Sequence, residues 1–464
     1  LKIKFYIAII SNQFYINVSR DLTTQKLERA LLMVEVLPLS GLFYNKDIIK
    51  NISDVISPPY DVIPEPMQKK LYDLDPHNII NLILPGGSSR EKYKNAQKIL
   101  DSWIKDNILI FDDKKCFYVF EEDFSVDSKR KKILGFIGLT RIEPYSRLKI
   151  IPHEKTQSEP KKDRLNLLES CRTNFGIVYT LYSDDQNRTM DIFKRTIQEK
   201  PFINTAAGYD HSLNFKIWKM SKSSDIKEII KIMRDKKLII ADGHHRYETS
   251  LAYKQNTRSI INKDRKHQEN PEDFILTLYI ESSGKDIFIH PNHRLIKFKD
   301  YPGLDNILEK INNDFYIETE NIHSEKYITG KLLDSKSKGN KSFFIYGRCK
   351  KLYFLTLKSS LPGIRDSLKS AVGQYLNIDI NILKKFLIEK ISYQFEVQEI
   401  SYTHYISNAI KRVDNRKFDI GILLNPATVK EIEKISTKGH VLPDKSTYFY
   451  PKPCTGLIMY KFDR

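Results

Sequence analysis

An apolar run, Leu238-Ile239-Ile240-Ala241, ends on Asp242-Gly243 and passes at once into a helical pattern carried by Tyr247, Leu251, Ala252 and Tyr253. This junction constrains the chain more than any other stretch. It predicts a buried strand feeding directly into a helix, with His244, His245 and Arg246 in or just before the first turn. Cations are disfavoured there, because the helix dipole is positive at its N-terminus. The same first-turn N–H groups lack intrahelical partners, so an anion seated among them would reverse the balance. A phosphate is the simplest such anion. Gly243, His244, His245 and Arg246 are therefore the candidate phosphate-binding residues, Arg246 in bidentate fashion. In the blander reading Asp242 caps the helix and the basic side chains lie in solvent.

With 464 residues the chain has material for two domains. A formal charge of +18 would suit a polyanionic partner, yet the lysines are spread throughout and form no block. Cys116, Cys171, Cys349 and Cys454 are far apart with no C-x-x-C, which argues against a disulfide framework or a thiolate zinc site and fits a reducing cytoplasm. No segment has the length and apolarity of a membrane helix. The first methionine is Met33, directly before the strand-like Val34–Pro38, so residues 1–32 are expected to be an extension outside the fold.

The pattern predicts short helices at 66–74 and 90–107, a strand at 78–84 and an antiparallel hairpin from 116–124 and 132–144. Helices at 160–170, 189–198 and 223–234 and strands at 176–182, 274–280 and 286–290 complete an expected N-terminal domain, 33–300. Beyond it, 301–464 alternates shorter elements: helices at 303–311, 324–333, within 366–389, 402–412 and 427–435, and strands at 342–347, 351–357, 418–424 and 456–461. The mixture of hairpins and crossovers predicts an α+β, or mixed α/β, fold. No G-x-G-x-x-G follows a strand and no G-x-x-x-x-G-K-[ST] occurs, which disfavours the two commonest nucleotide folds.

Four other polar segments interrupt the apolar runs. In Pro58-Pro59-Tyr60-Asp61 two prolines hold the backbone extended and aim Tyr60 and Asp61. Pro152-His153-Glu154-Lys155-Thr156 sets an acid/base imidazole beside a carboxylate able to act as base or metal ligand. His290-Pro291-Asn292-His293-Arg294 ends a strand with a second His/Arg pair. Pro443–Pro453 carries Lys445, Ser446, Thr447 and Lys452 among aromatic residues. Each segment alone is also compatible with an ordinary turn or charged loop.

Together these motifs resemble the family known as domain of unknown function 1015, over essentially residues 33–464. The resemblance runs through Ser57–Ile63, Asp75–Asn78, Pro152–Thr156 with Asp163-Arg164, Ala241–Glu248, His290–Arg294 and Lys445–Lys452. His77 stands where the family pattern has an aromatic residue. That family name implies no activity. Asp242-Gly243-His244-His245-Arg246 is in turn similar to the phosphate-binding motif of the ParB/sulfiredoxin-like fold, whose free-serine kinases carry the full string. The likeness implies a nucleotide-binding core of that fold with an additional C-terminal α/β region. Sulfiredoxin chemistry is disfavoured by the absence of a loop cysteine, and DNA partitioning by the absence of a following helix-turn-helix.

The expectation is therefore a phosphotransferase using ATP or ADP and Mg²⁺ on a small hydroxylated metabolite, with serine-kinase-like activity as one form of it. Asp242, Glu154, His153 and Asp61 are the candidate catalytic groups, and Asp242 is also the candidate metal ligand. Tyr60, His293, Arg294, Lys445, Ser446, Thr447 and Lys452 are the candidate substrate contacts, His293, Arg294 and Lys445 facing an acidic group. A phosphohydrolase or nuclease using the same anion pocket, and a non-catalytic nucleotide- or nucleic-acid-binding protein, are the alternatives. Nucleic acid is the less favoured partner. The oligomeric state is left open.

Overall fold

Apolar runs that lack alternation become strands buried on both faces. Val178–Tyr182, Leu238–Asp242 and Phe274–Glu281 are each buried at every position. In the computed structural model, which describes residues 33–88, 91–126, 128–155, 159–260, 270–321, 324–369 and 377–463, they lie side by side in a nine-stranded sheet. The order is Ile150–Pro152, Leu238–Asp242, Val178–Tyr182, Phe274–Glu281, Lys129–Arg141, Phe117–Val126, Asp210–Met220 and Ile203–Ala207, with Val36–Leu37 paired to Lys129–Arg141 as well. Pairing is mixed. Leu238–Asp242 runs parallel to Ile150–Pro152 and antiparallel to Val178–Tyr182, which is parallel to Phe274–Glu281.

A second sheet of six strands is antiparallel throughout: Phe315–Glu320, Leu352–Leu357, Ser342–Gly347, Ile420–Leu423, His293–Phe298 and Val397–Thr403. Amphipathic helices such as Leu304–Ile311 and Ile406–Asp414 bury one face against it. The fold is mixed α/β.

What positions the site is the C-terminal tail, which returns to pair with much earlier parts of the chain. Leu442 bridges to Glu154, Tyr448–Tyr450 pairs with Phe288–His290, and Thr455 bridges to Ser57. Met459 bridges to Leu42, and Tyr460–Lys461 pairs with Thr173–Asn174.

Several elements depart from the sequence pattern. The expected strand at 78–84 is a helical turn, Ile80–Ile83. Asn78 explains it: its Oδ1 accepts from the Ile80 N–H at 2.9 Å and its Nδ2 donates to Asp54 O at 2.7 Å, so the side chain competes for strand pairing. Part of the expected helix 402–412 is the end of a strand, and the helix begins at Ile406. Strands Ile203–Ala207 and Asp210–Met220 were not anticipated, although Leu213–Ile217 alternates apolar and polar residues. Residues 1–32, for which an extension is expected, and Thr156 lie outside the described residues.

Glu122, on the Phe117–Val126 strand, is 2% exposed and its Oε1 has no hydrogen-bond partner. Burial pushes its carboxyl up from 4.5 to about 8. The folded chain therefore keeps a proton that the unfolded chain loses, and stability falls as pH rises from about 4.5 through 8. Glu122→Gln, neutral at every pH, is expected to melt at a higher temperature than wild type at about pH 9 and at nearly the same temperature at about pH 4. A constant offset at both pH values would contradict the buried neutral carboxyl.

Candidate active site

Leu238–Asp242 is buried to its end, so the strand delivers a carboxylate into the interior. Gly243 follows with φ +90, a backbone geometry that a side chain would strain. A Cβ there would also stand 3.1 Å from Arg246 Cζ and 3.3 Å from Val178 Cα. The turn opens the helix His244–Ile260, which sets Arg246 one turn along from Asp242. The guanidinium folds back: Nη2 donates to Asp242 Oδ2 at 2.5 Å and Nη1 donates to the Ile177 carbonyl. From the tail, Lys452 Nζ donates to Asp242 Oδ1. Burial alone would raise the Asp242 carboxyl, but Lys452 and Arg246 outweigh it and hold the group well below the usual range.

This arrangement corrects the electrostatic expectation. The anion among the basic side chains is the chain's own Asp242, not an obligatory phosphate. Nor are the histidines cations. Burial holds His244 well below its ordinary value and brings His153 down to about 4. Their rings meet edge-on at 4.7 Å. His153 Nδ1–H donates to the Ile240 carbonyl and Nε2 accepts from the Thr447 hydroxyl, which defines one neutral tautomer. The His153 backbone N–H donates to His244 Nε2 at 3.4 Å. His245 is half-buried, and burial lowers it too.

Glu154 differs from Asp242 in every respect that matters. Its bridge to Leu442 places it beside the tail, 4.0 Å from His153 Nε2, and its Oε2 is buried without a partner. Burial raises it from 4.5 to about 7, against the opposing charges of Lys452 and Lys445. Two carboxylates in one site are thus pushed apart, one fixed as an anion and one able to exchange a proton near neutrality.

The other segments converge on the same place. Tyr60 lies beneath Arg164, whose Cζ is 4.3 Å from the ring centre, and exposed Asp61 acts electrostatically on Arg246, Lys452 and His245. Tyr60, Arg164 and Arg246 border a cavity whose remaining wall is largely apolar, with Ile83, Leu167 and Phe175 among its residues. Arg294 Nη2 and Asn292 Nδ2 donate to the Lys445 carbonyl at 3.2 and 2.6 Å, locking the tail's turn, where Lys445 has φ +57. Ser446 is buried with its hydroxyl donating to Pro443 O, and Lys452 Nζ lies 4.8 Å from the Tyr448 ring centre. His293 is tied elsewhere: its Nδ1 accepts from the Leu424 N–H at 3.3 Å, which anchors the ring in the second sheet.

Asp242 does not fit the metal-ligand role expected for it, since both of its oxygens already accept from cations. Among the described residues no group of three His, Cys, Asp or Glu is placed to share an ion. Arg164, Tyr402 and His404 were missed as site residues. Tyr402 stacks 4.5 Å from Arg294 Cζ, and the His404 and Tyr448 ring centres are 3.8 Å apart. The misassigned helix at 402 hid the latter two, and Val397–Thr403 has no clean alternation to signal a strand.

A family model described as a protein of unknown function (DUF1015) matches residues 36–380. The chain belongs to the DUF1015 family. The match includes Tyr60, Glu154, Asp242 and Arg294 and ends before the Lys445–Lys452 tail. No curated protein matches the chain. Among solved structures it is similar to a conserved hypothetical protein from Pyrococcus furiosus, at 12% identity over 65% of this chain and 87% of that one, with a TM-score of 0.31. A free serine kinase in complex with AMP aligns at 12% identity over 65% and 83%, with a TM-score of 0.32. A C-terminally truncated SbnI from Staphylococcus aureus aligns at 11% identity over 69% and 86%, with a TM-score of 0.34. Similarity this low does not fix the fold.

Asp242→Asn should leave Arg246 and Lys452 buried without their counter-charge. A destabilisation of about 3–5 kcal/mol is expected, measured by denaturant unfolding at neutral pH. A loss below about 1 kcal/mol would mean that the two cations find other partners.

Proposed function

We propose that the chain is a nucleotide-dependent phosphotransferase, with ATP or ADP as donor and a small hydroxylated molecule as acceptor. The observation that carries this reading is Glu154: a half-buried carboxyl whose Oε2 is sealed off without a hydrogen-bond partner, raised to about 7. Phosphoryl transfer asks little covalent work of a protein beyond positioning, charge neutralisation and a base for the acceptor. Glu154 Oε2 would take the acceptor's hydroxyl proton as that oxygen bonds to the terminal phosphorus and the bridging O–P bond breaks toward the nucleotide. A base of this pKa is partly ionised at neutral pH, which suits general-base work.

Arg246 and Lys452, held by Asp242, would present their remaining N–H groups to phosphoryl oxygens at the start of the His244–Ile260 helix. His153 is a positioning residue in this scheme: with both ring nitrogens bonded, it sets Thr447 and the tail against the strand. Mg²⁺ is assigned to no residue of the chain and would arrive as the nucleotide's own counter-ion. The apolar cavity beside Arg246 and Arg164 has the composition of a nucleobase pocket. The ParB/sulfiredoxin-like core implied by Asp242–Arg246 belongs to this proposal, and it makes serine one acceptor to try.

Purified protein given ATP, then ADP, with a panel of hydroxy amino acids and hydroxy acids is expected to release the lower nucleotide only with a particular acceptor. The rate should rise with pH through about 7, because the base works when deprotonated. Glu154→Gln should lower kcat by about 100-fold or more and leave nucleotide affinity unchanged. Acceptor-independent phosphate release would identify a hydrolase, and binding without turnover would sink the enzymatic reading.

A further inference from the structure

A second groove lies where the tail meets Arg294 and the Ile380–Glu389 segment. Its cavity volume is about 800 Å³, and it is open to solvent. One wall is the tail from Gly439 to Asp444, apart from Leu442, the residue that bridges to Glu154. Lys384, Lys385 and Glu389 also line it, with Arg294, Ile400 and Tyr402. Lys155, next to Glu154, also lines it. Arg294, which lines the groove, feels the charge of Glu154, so the groove reaches the neighbourhood of that carboxyl.

Its charge is unequal. Lys155, Arg294, Lys384 and Lys385 face two carboxylates, Glu389 and Asp444. Arg294 is the decisive member. It is 4% exposed, and its hydrogen bonds go to the carbonyls of Asn292 and Lys445. Among the described residues it forms no ion pair. Burial pulls it down to about 10, opposed only through space by Tyr402 and Glu154. A buried guanidinium with no directly bonded acid gains from a ligand that provides one. Lys384 and Lys385 lie on Leu383–Ile388, a π-helical segment, a local widening that occurs often at functional sites.

We propose that this groove binds the acceptor, and that the acceptor is a hydroxy acid with at least two anionic groups. One is set against Arg294, the other lies between Lys384 and Lys385, and the hydroxyl is turned toward Glu154. This assignment rests on the phosphotransferase reading for the role of the ligand, but not for its binding. It narrows the acceptor away from a free amino acid, whose single carboxylate would leave the lysines unmatched.

The test is calorimetric titration of the full chain without nucleotide. The probes are malate (two carboxylates) and 3-phosphoglycerate (a carboxylate and a phosphate), with serine and glycerol as comparators. One dianion per chain is expected to bind, at least about tenfold tighter than serine, with glycerol weakest. The Lys384→Gln/Lys385→Gln double variant changes partly exposed positions and should fold normally. It should weaken the dianion about tenfold and leave serine unaffected. Equal affinity for glycerol and the dianions, or a double variant that binds like wild type, overturns the proposal. So does a short single-stranded RNA that displaces the dianion, since the groove would then serve a polymer. Dianion binding with no phosphate transfer in the ATP and ADP assays keeps the groove and removes the phosphotransferase. Transfer to serine with no dianion binding does the reverse.

Discussion

The ion cluster of Asp242 with Arg246 and Lys452 is the interaction on which the rest of the site depends. Its members come from a strand end, a helix start and a tail some two hundred residues later in the chain. A buried carboxylate between two cations is worth little as a source of net stability, because desolvation consumes most of the Coulombic gain. Its value is in specificity of arrangement: only when all three groups are in place is none of them left uncompensated. The cluster thus couples closure of the tail to the geometry of the Gly243 turn. The same closure brings Thr447 to His153 and Leu442 to Glu154.

That distribution of cations also explains why two neighbouring acids behave differently. Lys452 bonds directly to Asp242 and acts on Glu154 only through space. Asp242 therefore stays an anion, while desolvation prevails at Glu154 and leaves it protonatable near neutrality. The neutral histidines fit this division. Were His153 or His244 protonated, each would add an uncompensated buried charge beside Lys452, and both are instead held neutral by burial.

Much of this was legible from residue order alone, and the reasons are physical. The strand-to-helix junction at Gly243 announces itself because an apolar run and a 3.6-residue pattern cannot share a residue. The mixed α/β class and the central hairpin followed from equally strong periodicities. The partners of Arg246 were not legible. That Asp242, four residues earlier, would take the guanidinium depends on how the turn folds back, and Lys452 is too distant in sequence for any local pattern to announce. Tyr402 and the groove beneath Arg294 were lost for another reason. Strand Val397–Thr403 carries polar residues on an exposed face and ends just before a strongly amphipathic helix, so the helical period was extended backwards across the boundary.

The position of the tail bears on how such a site is assembled. Residues 442–461 form no sheet of their own; each short pairing is made to a strand or loop at least about 150 residues earlier in the chain. Contacts of this sequence separation carry a large loop-closure cost and tend to form late. Before the tail docks, Asp242 retains Arg246 but lacks Lys452, and Glu154 loses the wall that buries it. Its carboxyl would then return toward an ordinary solvent-exposed value. The chemically useful property of Glu154, a proton exchanged near neutral pH, therefore belongs to the closed arrangement and not to the Pro152–Lys155 segment itself. A short acidic motif becomes a candidate base only through the distant residues that seal it from water.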